Sequence, residues 1–126
     1  MSFSDTFETR MLTWVFTNSS ATRPSAWFVA LYTGAPNDAG GGTEVSGGAY
    51  ARQAVTFSVS GDTATNTGAI EYPTATAGYG TVTHVGIFDA STGGNLIAYA
   101  ALTASKTIDA GDVLRLPAGD LDVTLD

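Results

Sequence analysis

Cysteine is absent from this 126-residue chain. Disulfide staples, zinc–thiolate sites and thiol nucleophiles are therefore excluded, and the redox compartment leaves no trace. Basic charge is scarce too: five Lys and Arg stand against twelve Asp and Glu, for a net charge of −7. The five are scattered, whereas neutralising phosphates needs clustered cations, so no nucleic-acid partner is expected. Long apolar runs are missing as well. The run through Trp27 to Tyr32 has seven residues counting Ala26, and none is longer, where a membrane helix needs about 20, so no membrane partner is expected. Asp5, Glu8 and Arg10 interrupt the N-terminal stretch, which carries neither a signal-peptide nor a transit-peptide pattern.

What remains is rich in Gly, Ala, Ser and Thr, at a length suited to one domain over residues 1–126. Ser4 or Asp5 can cap a helix, with Glu8 completing an Asp-x-x-Glu box. Phe7, Met11, Trp14 and Val15 then recur at helical spacing, predicting one amphipathic helix over about 5–17 with Asn18-Ser19-Ser20 as its exit turn. After Arg23-Pro24, Ala26 to Thr33 is apolar on both alternating sets, as in a strand buried on both sides. Val55, Phe57 and Val59 alternate with polar residues up to a turn at Gly61-Asp62. Further strands are expected at Thr63–Tyr72, Gly80–Asp89, Asn95–Thr103, Thr107–Leu116 and Leu121–Asp126. Short strands at this spacing after one helix predict a mainly β fold, an antiparallel β-sandwich with one N-terminal α-helix.

Little of this carries chemistry. A serine-type triad needs an imidazole beside a nucleophile, and His84 is the only one; no Gly-x-Ser-x-Gly elbow presents a serine. Alternation places His84 beside Val82 and Phe88, as a packed or interface histidine. Asp109, Asp112, Asp120, Asp122 and Asp126 gather near the end, but Asp109-Ala110-Gly111-Asp112 supplies two carboxylates where calcium wants six to eight oxygens, so a hairpin turn explains them without metal. The glycine-rich stretch Gly40 to Gly48 lacks the Gly-Lys-Ser/Thr ending of a phosphate loop and reads as a long connecting loop. No catalytic residue, cofactor or metal is expected. Trp14, Trp27, Phe57 and Phe88 follow core periodicity, whereas Tyr79 lies at a turn where it can meet a partner. Leu12 and Phe16 add apolar surface beside the helix stripe, more than one buried face needs, and are candidate interface residues.

Two stretches carry a resemblance. Ala26 to Pro36, followed by Glu44-Val45-Ser46-Gly47-Gly48-Ala49-Tyr50-Ala51-Arg52-Gln53 through Phe57, is similar to a family of small virion proteins of tailed bacteriophages and prophages. Val82 to Asp89, Gly93-Gly94-Asn95-Leu96 and the ending from Ala110 to Leu125 resemble the same family, whose members are often labelled tail fibre proteins. The resemblance implies a non-enzymatic structural protein of the virion, made in the host bacterial cytoplasm. Phage capsid decoration proteins are commonly small β domains clustered as trimers, and the chain is similar to such a cement protein. The first expectation is therefore capsid decoration, a homo-oligomer, trimer favoured, bridging major capsid protein subunits. The alternative is a tail fibre or baseplate component involved in host attachment. Within the matched segment, Tyr50 and Arg52 are candidate interface residues; Arg52, one of few cations, pairs either with a nearby carboxylate of the chain or with an acid across an interface.

Overall fold

The computed structural model describes residues 1–125. In chain order β1 (Ser2–Phe3) leads into α1 (Asp5–Phe16), followed by β2 (Trp27–Gly34), β3 (Thr43–Glu44), β4 (Gln53–Val55) and β5 (Phe57–Ser60). Then come β6 (Thr63–Asn66), β7 (Ile70–Glu71), β8 (Gly80–Phe88), β9 (Leu96–Ile108), β10 (Arg115–Leu116) and β11 (Asp122–Thr124). The largest sheet runs β1-β9-β8-β2-β3, with β4 also paired to β2; β10-β7 and β11-β6-β5 form two smaller sheets. All of these ladders are antiparallel. The protein is thus mainly β, with antiparallel sheets and one helix near its N-terminus, as the spacing of turns predicts.

β2 is the central strand. Val29, Ala30, Leu31 and Tyr32 are all buried, which is why both of its alternating sets are apolar. Val29 and Leu31 join Val82 and Val85 of β8 in one cluster with Ile70, Tyr72, Leu114, Leu116 and Leu121, so the small ribbon and its flanks close over one face of the large sheet. On the opposite face Ala30, Tyr32, Phe88 and Leu96 pack together.

The segment Thr63–Tyr72, expected as one strand, is two strands in different sheets. Asn66 breaks it: its Nδ2 donates to the Gly68 and Pro117 carbonyls (2.8 and 3.0 Å) and its Oδ1 accepts from Leu121 N–H (2.9 Å). A short amide side chain that binds local backbone turns the chain out of a ladder. Conversely, the expected break between Thr103 and Thr107 does not occur, because no Gly or Pro falls between Leu96 and Asp109. The register slips instead. Ala101 and Lys106 lie opposite His84 and Val82, so four residues of β9 face one of β8, as a large bulge requires. The slip inverts the alternation of β8: Val82 and Val85 enter the same cluster, and His84 shares a face with Phe88 but not with Val82.

Asp109 and Asp112 make a turn, with Asp109 N–H donating to Asp112 Oδ2 (2.9 Å) and Asp112 N–H to the Asp109 carbonyl (3.0 Å). It is not a hairpin onto β9. Beyond it the chain pairs with Tyr72 to Ala75 in the covering layer. β11 ends at Thr124, and Asp126 of the expected last strand lies outside the described residues.

Ser4, not Asp5, caps α1: its Oγ accepts from Phe7 N–H (3.4 Å) and donates to the Leu96 carbonyl. With Ser4 at the cap, Phe7 occupies the third helical position and Glu8 the fourth, so the expected Asp5–Glu8 box does not form. Backbone ties add Ser4 N–H to the Ile97 carbonyl and Asp5 N–H to the Asp38 carbonyl, both 2.9 Å. The far end is held only locally, by Thr17 N–H on the Thr13 carbonyl (3.2 Å) and Ser19 N–H on Thr17 Oγ1 (3.1 Å).

Candidate functional site

Two places gather the side chains singled out by sequence. The first lies across β3, the 50–53 segment and the 89–95 loop. Glu44 at the end of β3 meets Arg52 as a fork, Nε to Oε2 at 2.9 Å and Nη2 to Oε1 at 2.8 Å. Arg52 Nη1 also donates to the carbonyls of Ala90 (3.0 Å) and Gly93 (2.7 Å), and the guanidinium carbon stands 3.6 Å from the Phe88 ring centroid. The Arg52 side chain is 8% exposed and that of Glu44 27%. Of the two pairings open to Arg52, the one with a nearby carboxylate of its own chain is formed, because the glycine-rich loop folds Glu44 back onto β2.

Tyr50 and Tyr79 join this network. Tyr50 OH donates to Glu44 Oε2 (2.7 Å) and accepts from Leu31 N–H (3.1 Å). Its ring stacks on Tyr72 at 6.0 Å and meets Tyr79 edge-on at 5.8 Å. Tyr72 OH donates to the Val29 carbonyl (2.7 Å) and Tyr79 OH to the Pro73 carbonyl (2.9 Å), so each hydroxyl is satisfied as its ring is covered. Tyr79, expected to face outward from its turn, is 5% exposed. The sequence signal that was missed is Gly48. Its φ is +60°, and a Cβ there would stand 2.4 Å from the Ala77 carbonyl oxygen, so the 46–50 loop is pressed against the 76–79 turn and folds both tyrosines inward.

The electrostatics favour permanence over reactivity. Burial pushes the Glu44 carboxyl up, but hydrogen bonds from Arg52 and Tyr50 and the Arg52 charge outweigh it and hold the group below its ordinary 4.5. Burial, then the Glu44 charge, push the Tyr32 hydroxyl up to about 12. Burial and the bond to Glu44 raise Tyr50 further still. Both hydroxyls stay protonated, and that of Tyr50 serves as a donor to Glu44. His84 Nδ1 lies 2.8 Å from Thr83 Oγ1, yet among the described residues no carboxylate hydrogen-bonds the ring to complete a triad. Nor, among them, do three His, Asp or Glu side chains converge as a metal site requires.

The second place is α1. None of its residues is buried; Trp14, expected in the core, is 66% exposed, and Leu12, Val15 and Phe16 are 59, 58 and 78% exposed. Only the helix's first half reaches the sheet, where Phe7 packs with Met1 and Phe3 against Ile87, Ile97 and Ala98. The periodicity that suggested a core stripe is present, but the 70–79 and 110–121 segments already cover the sheet face, so the helix lies outside. Leu12 and Phe16, with Val15, sit on one side of α1 at i, i+3, i+4 spacing. On another side, Phe7, Arg10, Met11 and Trp14 form a groove of about 280 Å³ with Ala21, Thr22, Arg23 and Pro24 of the returning chain. Leu12 and Phe16 are legible in the sequence as surplus apolar surface, whereas the meeting of Arg10 and Arg23 depends on the chain reversing after Asn18.

No curated protein matches the chain. A family model does, that of the podophage GP4 fiber I protein gp80, over residues 2–124. A match of that extent, over a mainly β chain, identifies a virion component: the chain belongs to the podophage GP4 fiber I protein gp80 family of phage fibre-type structural proteins.

Proposed function

We propose that the protein is a non-enzymatic fibre or baseplate component of a tailed phage particle, of the kind that contributes to host attachment. It is seated by surface contacts of α1 with neighbouring virion proteins. The observation that carries this reading is the exposed apolar end of α1: Leu12, Val15 and Phe16 are each more than half exposed on a helix none of whose residues is buried, and clustered apolar exposure on proteins in water marks interaction sites. The word fiber in the family description supports a tail position over the capsid-decoration role that the sequence ranked first. A homo-oligomer, a trimer by the resemblance set out above, is the assembly state that belongs to the proposal.

Quantitative mass spectrometry of purified virions, with gold labelling of a tagged copy, tests it. A few to tens of copies located at the tail are expected. Hundreds of copies distributed over the head would overturn the fibre reading and restore the cement one.

A further inference from the structure

Arg10 and Arg23 are two of only five basic residues, and both line the groove beside α1 with Phe7, Met11, Trp14 and Pro24. Neither forms an ion pair; among the described residues the one salt bridge is Arg52–Glu44. The Arg10 guanidinium lies 5.1 Å from the Phe7 ring centroid. Asp89 lies near enough to feel the Arg10 charge, but it forms no salt bridge with Arg10, accepts from Asn95 N–H and Nδ2 at 2.7 and 3.1 Å, and does not line the groove. Among the described residues no carboxylate lines the groove. On a chain of net charge −7, this is a place where positive potential emerges, over an apolar floor.

The two properties define an occupant. The floor selects an apolar side chain, and guanidinium groups at its margin select carboxylates. At about 280 Å³ the groove falls below the roughly 300–1,000 Å³ of drug-sized pockets and takes one or two side chains, not a folded surface. A short extended segment can set its own carboxylates directly against the two guanidinium groups, whereas the groove is too small to seat the folded face of another protein. We propose that the groove binds an extended acidic segment of a neighbouring virion protein, with an aromatic or aliphatic side chain seated on Trp14 and flanking carboxylates on Arg10 and Arg23. The proposal rests on the virion reading only for the source of the partner. Binding by the isolated protein is independent of copy number and of position in the particle, so either reading can fail alone.

The test uses the full chain, isotope-labelled, and three capped pentapeptides: Gly-Asp-Phe-Asp-Gly, its Asn counterpart and its Lys counterpart. The acidic peptide is expected to shift the amide and side-chain resonances of Arg10, Trp14 and Arg23. It should bind at least tenfold more tightly than the Asn peptide and weaken as salt is raised. Arg10→Gln with Arg23→Gln should remove that preference while the circular dichroism spectrum is unchanged; if the double variant unfolds, the peptide comparison on the unaltered protein still decides. Less than tenfold discrimination, shifts confined to other surfaces, or equal binding of the Lys peptide would overturn the proposal. So would two further results: equal binding of an acidic oligosaccharide, which would make the groove a general anion site, or self-association that the peptide displaces, which would give it to a second copy.

Discussion

Arg52→Ala is expected to destabilise the protein severely. The substitution removes the two bonds to Glu44, the two to the Ala90 and Gly93 carbonyls, and the cation held 3.6 Å from the Phe88 ring. It leaves Glu44 with the Tyr50 hydroxyl as its remaining side-chain donor. Deleting one partner of a buried ion pair costs about 3–5 kcal/mol. Because the Glu44 side chain is 27% exposed, water recovers part of its solvation and the lower end, about 3 kcal/mol, is expected. For a domain between the 60–100 and 150–250 residue classes, each kcal/mol shifts Tm by roughly 3–6 °C, so the loss is about 9–18 °C. Arg52→Lys keeps the charge but not the planar fork, and should fall about midway. Thermal unfolding at neutral pH, followed by circular dichroism, reads both. An interface arginine without an internal partner would leave Tm within a degree or two; that result for Arg52→Ala, or identical losses for Ala and Lys, would refute the buried-fork account.

Two further outcomes follow from the same contacts. Since the folded-state pKa of Glu44 is depressed below 4.5, its contribution is complete above the ordinary carboxylate range and is lost as pH falls through the depressed value. The gap in Tm between the unaltered protein and Glu44→Gln should therefore close as pH is lowered from 6 toward 2.5, and a gap independent of pH would contradict it. Asn66→Ala deletes three hydrogen bonds at a residue 2% exposed, and each buried partner left unsatisfied costs about 1–3 kcal/mol without strict additivity. A loss of about 3 kcal/mol is expected in urea titration, and a loss under 1 kcal/mol would show that water replaces the amide.

What could be read from the sequence was whatever neighbouring residues decide. β2 betrayed its double burial because both of its alternating sets are apolar, and Gly61-Asp62 announced the turn between β5 and β6. α1 was placed within a residue of either end. What escaped was decided by distant residues. Asn66 breaks a strand through carbonyls and amides as far away as Pro117 and Leu121, and a β9 without Gly or Pro runs on, its bulge fixed by pairing with β8. The Arg52 site shows the same division. Its scarcity marked it as significant, but its partners Glu44, Ala90 and Gly93 converge only once the sheet has formed. Trp14 kept the right helical period and still lies outside, since periodicity reports that a stripe exists and not what remains to be covered.

The unequal anchoring of α1 has a mechanical meaning. The helix is a cantilever, clamped at Ser4 to the Leu96 and Ile97 carbonyls and free beyond Thr13, with its gripping residues Leu12, Val15 and Phe16 near the free end. A load taken up there reaches the sheet as a lever acting on β1, which meets β9 through two residue pairs, Ser2 with Tyr99 and Phe3 with Ala98. Under such a load the two β1–β9 pairs are expected to give way before the longer β2–β8–β9 ladders, so that the N-terminal segment would serve as a compliant link to the body of the protein.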